Sequence, residues 1–493
     1  MKMKQTTTGF VFASIISSLL LNIVKVTGQH LLTSPATNCE QYRDHRGKFE
    51  ITGNDDSVHC LQKHLYQFAL RSSPNDADNA YVDELLKKAL TRCSVKKSKA
   101  GLSKLSKKKC RSRKCKKMRY KGRRGKRFAR KYYSNRERKY NAEQAGCNWE
   151  RKEVRMLSRP EWNQFTNRIN ILKRPIELPG GGSFIPYDVI SNIHRVKTNL
   201  KAAHKGPNFL GWHRVYLLIM EAAIGVPIPY WDSRLDYDMD EPVDSVLWTD
   251  EFFGPGIGRV DSGPFANWIT AHKEPLARNI GLSGSLISEC MVERMLRYKS
   301  HDPVVDPTVR SISIEGIHNG PHRWVDGQLS IIRKASQDPV FFLHHSFIDY
   351  LWYLFRQLMR ETGNINPATD YPDKGPKSQA RNENMIPFGN LRNIHGYSDI
   401  IEGLSRYKPP PKCPSCGGSD YLECDRQINR CRSKASRTVA TLRDIQIRRR
   451  LAMDIVIRGT RFEGPVTDIR TSGVALGYLQ LVNNTHLVNT GTL

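Results

Sequence analysis

Long apolar runs are missing from most of this chain. Past residue 28 no stretch reaches the ~18 apolar residues of a membrane-spanning helix, which argues against a helical membrane protein. Acidic residues are also scarce, with 48 Asp+Glu against 78 Lys+Arg over 493 residues, a formal net charge of +30. The shortage is local. Residues 96–140 hold 23 Lys/Arg and a single acid, Glu137, so this tract carries +22 and all the rest only +8. The tract has few aliphatic residues and cannot bury enough apolar area to offset its ordering entropy, so disorder or a disulfide-tethered loop is expected there. Internal repeats at solenoid periods are absent too, which excludes repeat arrays. What remains, at 39% hydrophobic and 26% charged overall, is globular in composition and long enough for two to three domains.

The first 28 residues read as a removable secretory signal. Lys2 and Lys4 precede a mostly apolar run from Phe10 to Val24, and Val26-Thr27-Gly28 offers small residues for cleavage. A secreted, extracellular protein is expected, in a compartment where its 11 cysteines can pair. An odd count leaves at least one thiol free, paired between chains, or on a segment that is removed. Asn483-Asn484-Thr485 is a glycosylation sequon, so a glycoprotein is expected.

Behind the signal, composition divides the chain into a Cys-containing region (29–95), the basic insert (96–140), a globular region (141–405), a disulfide-rich module (406–435) and a C-terminal extension (436–493). The globular region reads as mainly helical. Ser158-Arg159-Pro160-Glu161 is a capping box opening a helix with Trp162, Phe165, Ile169 and Leu172 on one side. A second helix is expected to end near His194–Leu200, a third to run from His213 to Gly225, and a fourth to hold His345, Leu351 and Phe355. Long Asp/Pro/Gly loops at 232–267, 302–308 and 363–391 join them, and loops of that length tend to be functional. Cys413, Cys416, Cys424 and Cys431 form a compact module, either two disulfides or a zinc ribbon, with disulfides favoured in a secreted chain.

Histidine carries the chemistry. His194, His204 and His213 lie ten and nine residues apart, while His318 and His322 are one helical turn apart and His345 follows on a later helix. Two sets of three neutral imidazoles, without thiolate or carboxylate, suit copper, zinc or nickel. A redox-active pair can pass two electrons to one dioxygen molecule, which a single copper ion cannot. The zinc-protease alternative lacks its general base, because His318-Asn319-Gly320-Pro321-His322 has no Glu in the H-E-x-x-H position. Pro321 also implies that His318 stands at or before a helix start.

The residues flanking these histidines resemble the tyrosinase family of type-3 copper proteins. Ala203-His204-Lys205-Gly206-Pro207-Asn208-Phe209-Leu210-Gly211-Trp212-His213-Arg214 is similar to the family's first copper motif. His318 to Gly327 resembles the opening of its second motif, and Asp338 to Trp352 its close. The likeness spans roughly 150 to 405. It implies a four-helix bundle around a dinuclear copper core with long irregular loops, beside the small disulfide-rich C-terminal module. It further implies that one copper takes His194, His204 and His213 and the other His318, His322 and His345, with His344 behind them. The implied activity is ortho-hydroxylation of monophenols and oxidation of o-diphenols to o-quinones, with O2 and phenolic small molecules or protein tyrosines as partners. Alternatives are a diphenol oxidase only, or an oxygen carrier like the haemocyanins. A water-holding pair is implied at Asn319 and Glu315, and a buried Arg214–Asp349 pair would fix the helices carrying His213 and His345. Phe341 and Phe342 are expected to share between them a pocket wall and core packing. Two positions depart from the family pattern: Ala202 replaces a cysteine that in some members is linked to the second histidine, and Asp326 replaces the first glycine of a Gly-Gly, where it is expected to face solvent.

In a secreted protein the basic tract fits acidic matrix polymers better than nucleic acid. Arg124-Gly125-Lys126-Arg127 fits a dibasic cleavage site, and Tyr120, Tyr132, Tyr133 and Tyr140 among the lysines suit quinone crosslinking.

Overall fold

The computed structural model describes residues 39–44, 49–92, 149–363 and 365–436, with the backbone of 479–482 and 486–489. The signal segment, the basic tract with its cleavage motif and tyrosines, the sequon, and Cys93, Cys110, Cys115 and Cys147 lie outside the described residues. The chain falls into two units, residues 1–61 and 62–493. In the first, the Cys39–Cys60 disulfide ties a short helical turn, Cys39–Tyr42, to the start of helix α1 (Asp56–Ser72). That helix has no counterpart in the sequence reading, although Val58, Leu61, Leu65 and Phe68 recur at helical spacing.

The second unit is mainly helical, and the described strands pair only two by two. Helix α2 (Ala77–Thr91) buries Tyr81, Val82, Leu85, Leu86 and Ala89 on one face. Helix α3 (Arg159–Leu172) opens with the expected capping box: the Ser158 hydroxyl accepts from Glu161 N, and the Glu161 carboxylate accepts from Ser158 N. The second expected helix is broken in two, α4 (Pro186–Asn192) and α5 (Lys197–Ala203), and His194 sits in the turn between them. Asn199 Nδ2 donates to Ile193 O at 2.9 Å and so holds that turn.

Helix α6 (Asn208–Ile224) is the centre of the fold, with all 17 residues buried. A helix apolar on every side belongs in a core, and this one packs against α2, α3, α5 and the later histidine helix. It starts five residues before His213, directly after Pro207, whose φ of −64° suits a helix start, and it stops at left-handed Gly225 as expected. Gly211 lies where a side chain would not fit, since a Cβ there would come 3.0 Å from Gly396 Cα.

Helix α7 (Ile314–Val325) corrects the reading of Pro321. The proline lies inside the helix, and His318 sits in mid-helix rather than at its start. A proline removes one bond, from its own nitrogen. Here the turn before it is anchored by Ser313, whose hydroxyl accepts from Gly316 N, and by burial of Ile314 and Ile317. Helix α8 (Val340–Leu358) begins at Asp338, whose carboxylate caps Val340 N at 3.0 Å and pairs with buried Arg278 at 2.7 Å.

A buried ionic chain ties these helices together. Arg151 pairs with Glu221 of α6 at 2.7 Å and with Asp349 of α8 at 3.0 Å, and Asp349 also takes Arg214 of α6 at 2.7 Å, the pair the sequence implied. Burial pushes the Glu221 carboxyl up, but Arg151 and Arg92 outweigh it and hold it at about 2.

After strand β1 (Glu150–Arg151), which pairs in parallel with β2 (Arg406–Tyr407), the four-cysteine module follows as a hairpin, β3 (Leu422–Asp425) and β4 (Arg430–Ser433). Its cysteines are joined as Cys413–Cys424 and Cys416–Cys431, which rules out the zinc ribbon. Among the described cysteines Cys290 is free and exposed.

Candidate metal centre

Six imidazoles converge in the helical core, and each is 8% exposed or less. His194 comes from the α4–α5 turn, His204 from the end of α5, and His213 from the second turn of α6. Their Nε2 atoms meet, His194 to His204 at 3.3 Å and His194 to His213 at 3.4 Å. The second set converges in the same way, with His345 Nε2 at 3.1 Å from His318 Nε2 and 3.2 Å from His322 Nε2. Nitrogen donors about 2.0–2.1 Å from a common ion at tetrahedral angles stand roughly 3.3 Å apart, so both sets fit a metal.

The opposite ring nitrogens explain why the Nε2 atoms are free to bind. Nδ1 of His194, His204, His213, His318 and His322 lies 2.8–3.2 Å from the carbonyls of Ile332, Leu200, Phe209, Glu315 and Leu329 respectively. A carbonyl can only accept, so each Nδ1 carries the proton and each Nε2 keeps its lone pair. Burial holds all six rings well below the ordinary histidine range, His204 and His322 at about 4, so they are neutral. Crowded neutral imidazoles with no other partner for Nε2 are a metal-ready donor set. The rings of His213 and His345 stack with centroids 4.5 Å apart, so the two sets adjoin.

His344 also gathers with His318 and His322 by ligand-atom distance. Its Nε2, however, lies 3.0 Å from the His318 carbonyl and donates to it, which removes that lone pair from metal binding. His345 closes the second set by its Nε2 distances to His318 and His322, and His344 braces α7 from behind, its Nδ1 left without a hydrogen bond.

Phe341 stands where the two sets meet, with its ring centroid 4.0 Å from His345 and 4.9 Å from His194. Phe342 turns instead to Tyr216 and Tyr187 and packs the core. Asn319 is exposed beside His318. Glu315 is buried, and both its oxygens accept from Lys205 N, at 3.0 and 2.8 Å, so it clamps the loop leaving His204. Burial pushes its carboxyl up to about 7. Asp326 corrects its expectation: it is half-buried at φ 61°, ψ −157°, a backbone region nearly confined to glycine, and accepts from the Ser330 hydroxyl at 2.8 Å.

Sequence reasoning missed Gln379. It is fully buried, donates to the carbonyls of Lys201 and His204, and accepts from Asn208 N at 3.1 Å, fixing the loop between α5 and α6. Nothing in its turn-rich surroundings signals this, since the contact spans 175 residues. Phe209, a residue of the first motif, packs its ring 4.6 Å from His213 and 4.9 Å from His318.

Helices that bring two sets of buried imidazoles together define a class of helical proteins with a histidine metal site, and comparison with known proteins narrows it. The family model described as the common central domain of tyrosinase matches residues 185–358. The chain is 35% identical over 311 residues to "Tyrosinase-like protein 2" of Margaritifera margaritifera, covering 57% of this chain and 66% of that one. It is 34% identical over 297 residues to "Putative tyrosinase-like protein tyr-3" of Caenorhabditis elegans, covering 56% and 41%. It is 32% identical over 234 residues to the tyrosinase of Streptomyces glaucescens, covering 42% of this chain and 80% of that one. The chain belongs to the tyrosinase family. It spans less than two thirds of the length of the first two of these relatives.

Proposed function

We propose that this protein is a secreted phenol oxidase with two copper ions, one on His194, His204 and His213 and one on His318, His322 and His345. The observation that carries the reading is the meeting of two adjoining sets of buried, neutral Nε2 atoms in a chain of the tyrosinase family. When bound, the copper pair supplies the redox capacity that couples oxidation of a phenol to reduction of O2. A monophenol and one O2 then give an o-quinone and one water; two o-diphenols and one O2 give two o-quinones and two waters.

The chain's own residues supply position and protons. Backbone carbonyls aim five of the six imidazoles, Gln379 and Glu315 hold the His204 loop, and Phe341 with Phe209 sets apolar rings against the two sets. A phenol, with an ordinary pKa of about 10, must lose its proton to react. Asn319 and Glu315 are assigned to hold the accepting water. The carboxylate has lone pairs beyond those facing Lys205 N, and a proton affinity near neutrality suits a general base. The o-quinones would serve pigment formation or crosslinking of an extracellular matrix, such as shell or eggshell. The disulfides support an oxidising compartment, and no described helix is long and apolar enough to cross a membrane.

The test is to load the full chain with copper and supply a monophenol and an o-diphenol separately, before and after limited proteolysis. Quinone from both is expected. Quinone from the diphenol alone would reduce the activity to diphenol oxidation, and reversible O2 uptake without quinone would make the protein a carrier.

A further inference from the structure

Exposed cations cluster in the segments that carry the histidines. Arg195 follows His194, Lys205 follows His204 and Arg323 follows His322, and all three are exposed. Arg333 follows Ile332, whose carbonyl holds the His194 ring at 3.0 Å. Arg310 lies against the Glu315–Gly316 backbone, since a Cβ on Gly316 would fall 2.3 Å from Arg310 O. Four of these residues therefore adjoin in sequence a residue that builds or holds the centre, and the fifth, Arg310, has its backbone packed on Gly316, two residues before His318.

The carboxylates of the same segments, 186–205 and 306–334, are all committed elsewhere. Asp188 pairs with Lys173. Asp306 pairs with Lys374, buried Glu315 faces Lys205 N, and Asp326 takes the Ser330 hydroxyl. No ion pair is formed by Arg195, Lys205, Arg310, Arg323 or Arg333 among the described residues. Ile331 and Ile332, 47% and 48% exposed, add apolar surface between these cations. Uncompensated charge around a buried site concentrates ligands of opposite sign and steers their approach.

We propose that the centre selects tyrosine side chains presented by acidic polypeptides, with the carboxylates flanking the tyrosine meeting this rim of cations. The proposal deepens the phenol oxidase reading and rests on it, but the charge comes from the folded core and is separate from the basic tract at 96–140. Five cations on two segments of chain suit a substrate with several carboxylates around one phenol better than a small phenol with one.

The test uses the full copper-loaded chain and three peptides of equal length, each with one tyrosine flanked by Glu, Gln or Lys. Catechol serves as the reference substrate, and 4-hydroxyphenylpropionic acid with its amide forms the small-molecule arm. At low ionic strength kcat/KM for the Glu peptide is expected to exceed that for the Gln peptide about tenfold, with the Lys peptide poorest. At molar salt the ratio should fall below about twofold. The double variant Arg310→Glu/Arg333→Glu should bring the ratio near one while catechol turnover stays unchanged. Equal rates on the Glu and Gln peptides beside active catechol turnover would overturn the proposal and leave the oxidase reading standing. Persistence of the preference in the double variant would move its source to the basic tract, and equal discrimination between the small acid and its amide would remove the polypeptide; either result overturns it. Binding of the same peptides with Phe in place of Tyr ranks the charges without turnover, so failure of catalysis alone is told apart.

Discussion

Replacing Asp349 by Asn keeps the side-chain shape and removes one charge from the centre of the buried ionic chain. In the intact protein Asp349 takes Arg214 at 2.7 Å, Arg151 at 3.0 Å and the Tyr407 hydroxyl at 2.6 Å. Arg151 would keep Glu221. Arg214 would not be so placed: it is 3% exposed, Asp349 is its ion-pair partner, and its Nη1 already lacks a hydrogen bond. Stranding a buried guanidinium costs roughly 3–5 kcal/mol, a large part of the ~5–15 kcal/mol that holds a domain folded. Removing both partners, in Asp349→Asn/Arg214→Met, leaves neither charge stranded and should restore most of that loss. Equilibrium urea unfolding of wild type, both single variants and the double variant gives the cycle. If the double variant is destabilised by the sum of the singles, the two side chains do not act as a pair, and the account of how α6 and α8 are locked is wrong.

Other outcomes follow from the site. His204→Asn or His345→Asn should lower bound copper from two ions per chain to one, while His344→Asn should leave two; metal analysis with far-UV circular dichroism decides. Copper-free protein should lose stability as pH falls. The folded-state pKa values of His204 and His322 lie below their ordinary 6.5, at about 4, so their contribution is complete above 6.5 and is lost on the way down to 4. At about 1.4 kcal/mol per unit this is on the order of 3 kcal/mol each. Glu315 works in the opposite sense: its pKa is raised from 4.5 to about 7, so its contribution is present below 4.5 and lost as pH rises through 7. Glu315→Gln should therefore steepen the acid loss in unfolding curves measured from pH 4.5 to 6.5. Asp326→Gly should be more stable than Asp326→Ala by roughly 1–3 kcal/mol in thermal unfolding, because both lose the Ser330 bond but only glycine relieves the backbone.

Local sequence determined the elements whose causes lie within a few residues. The capping box at Ser158–Glu161, the stop at Gly225 and the helix after Asp338 were legible because caps and breakers act over one turn. The histidine spacings and their flanks were legible as well, since the motifs name the family. Tertiary structure alone decided the rest. Whether His344 or His345 faces its partners depends on which ring nitrogen meets the His318 carbonyl across 26 residues of sequence. The helix through Pro321 persists because a cap and buried neighbours outweigh one missing bond. Position 327 must be glycine because a Cβ there would fall 1.9 Å from Ala277 O, and Asp326 beside it holds its strained backbone with a bond to the Ser330 hydroxyl. Gln379 reaches the His204 loop only once the chain has folded back on itself. Periodicity and capping are short-range and leave marks in sequence; the pairing of a lone pair with a distant proton is settled only when packing brings the two atoms within 3 Å.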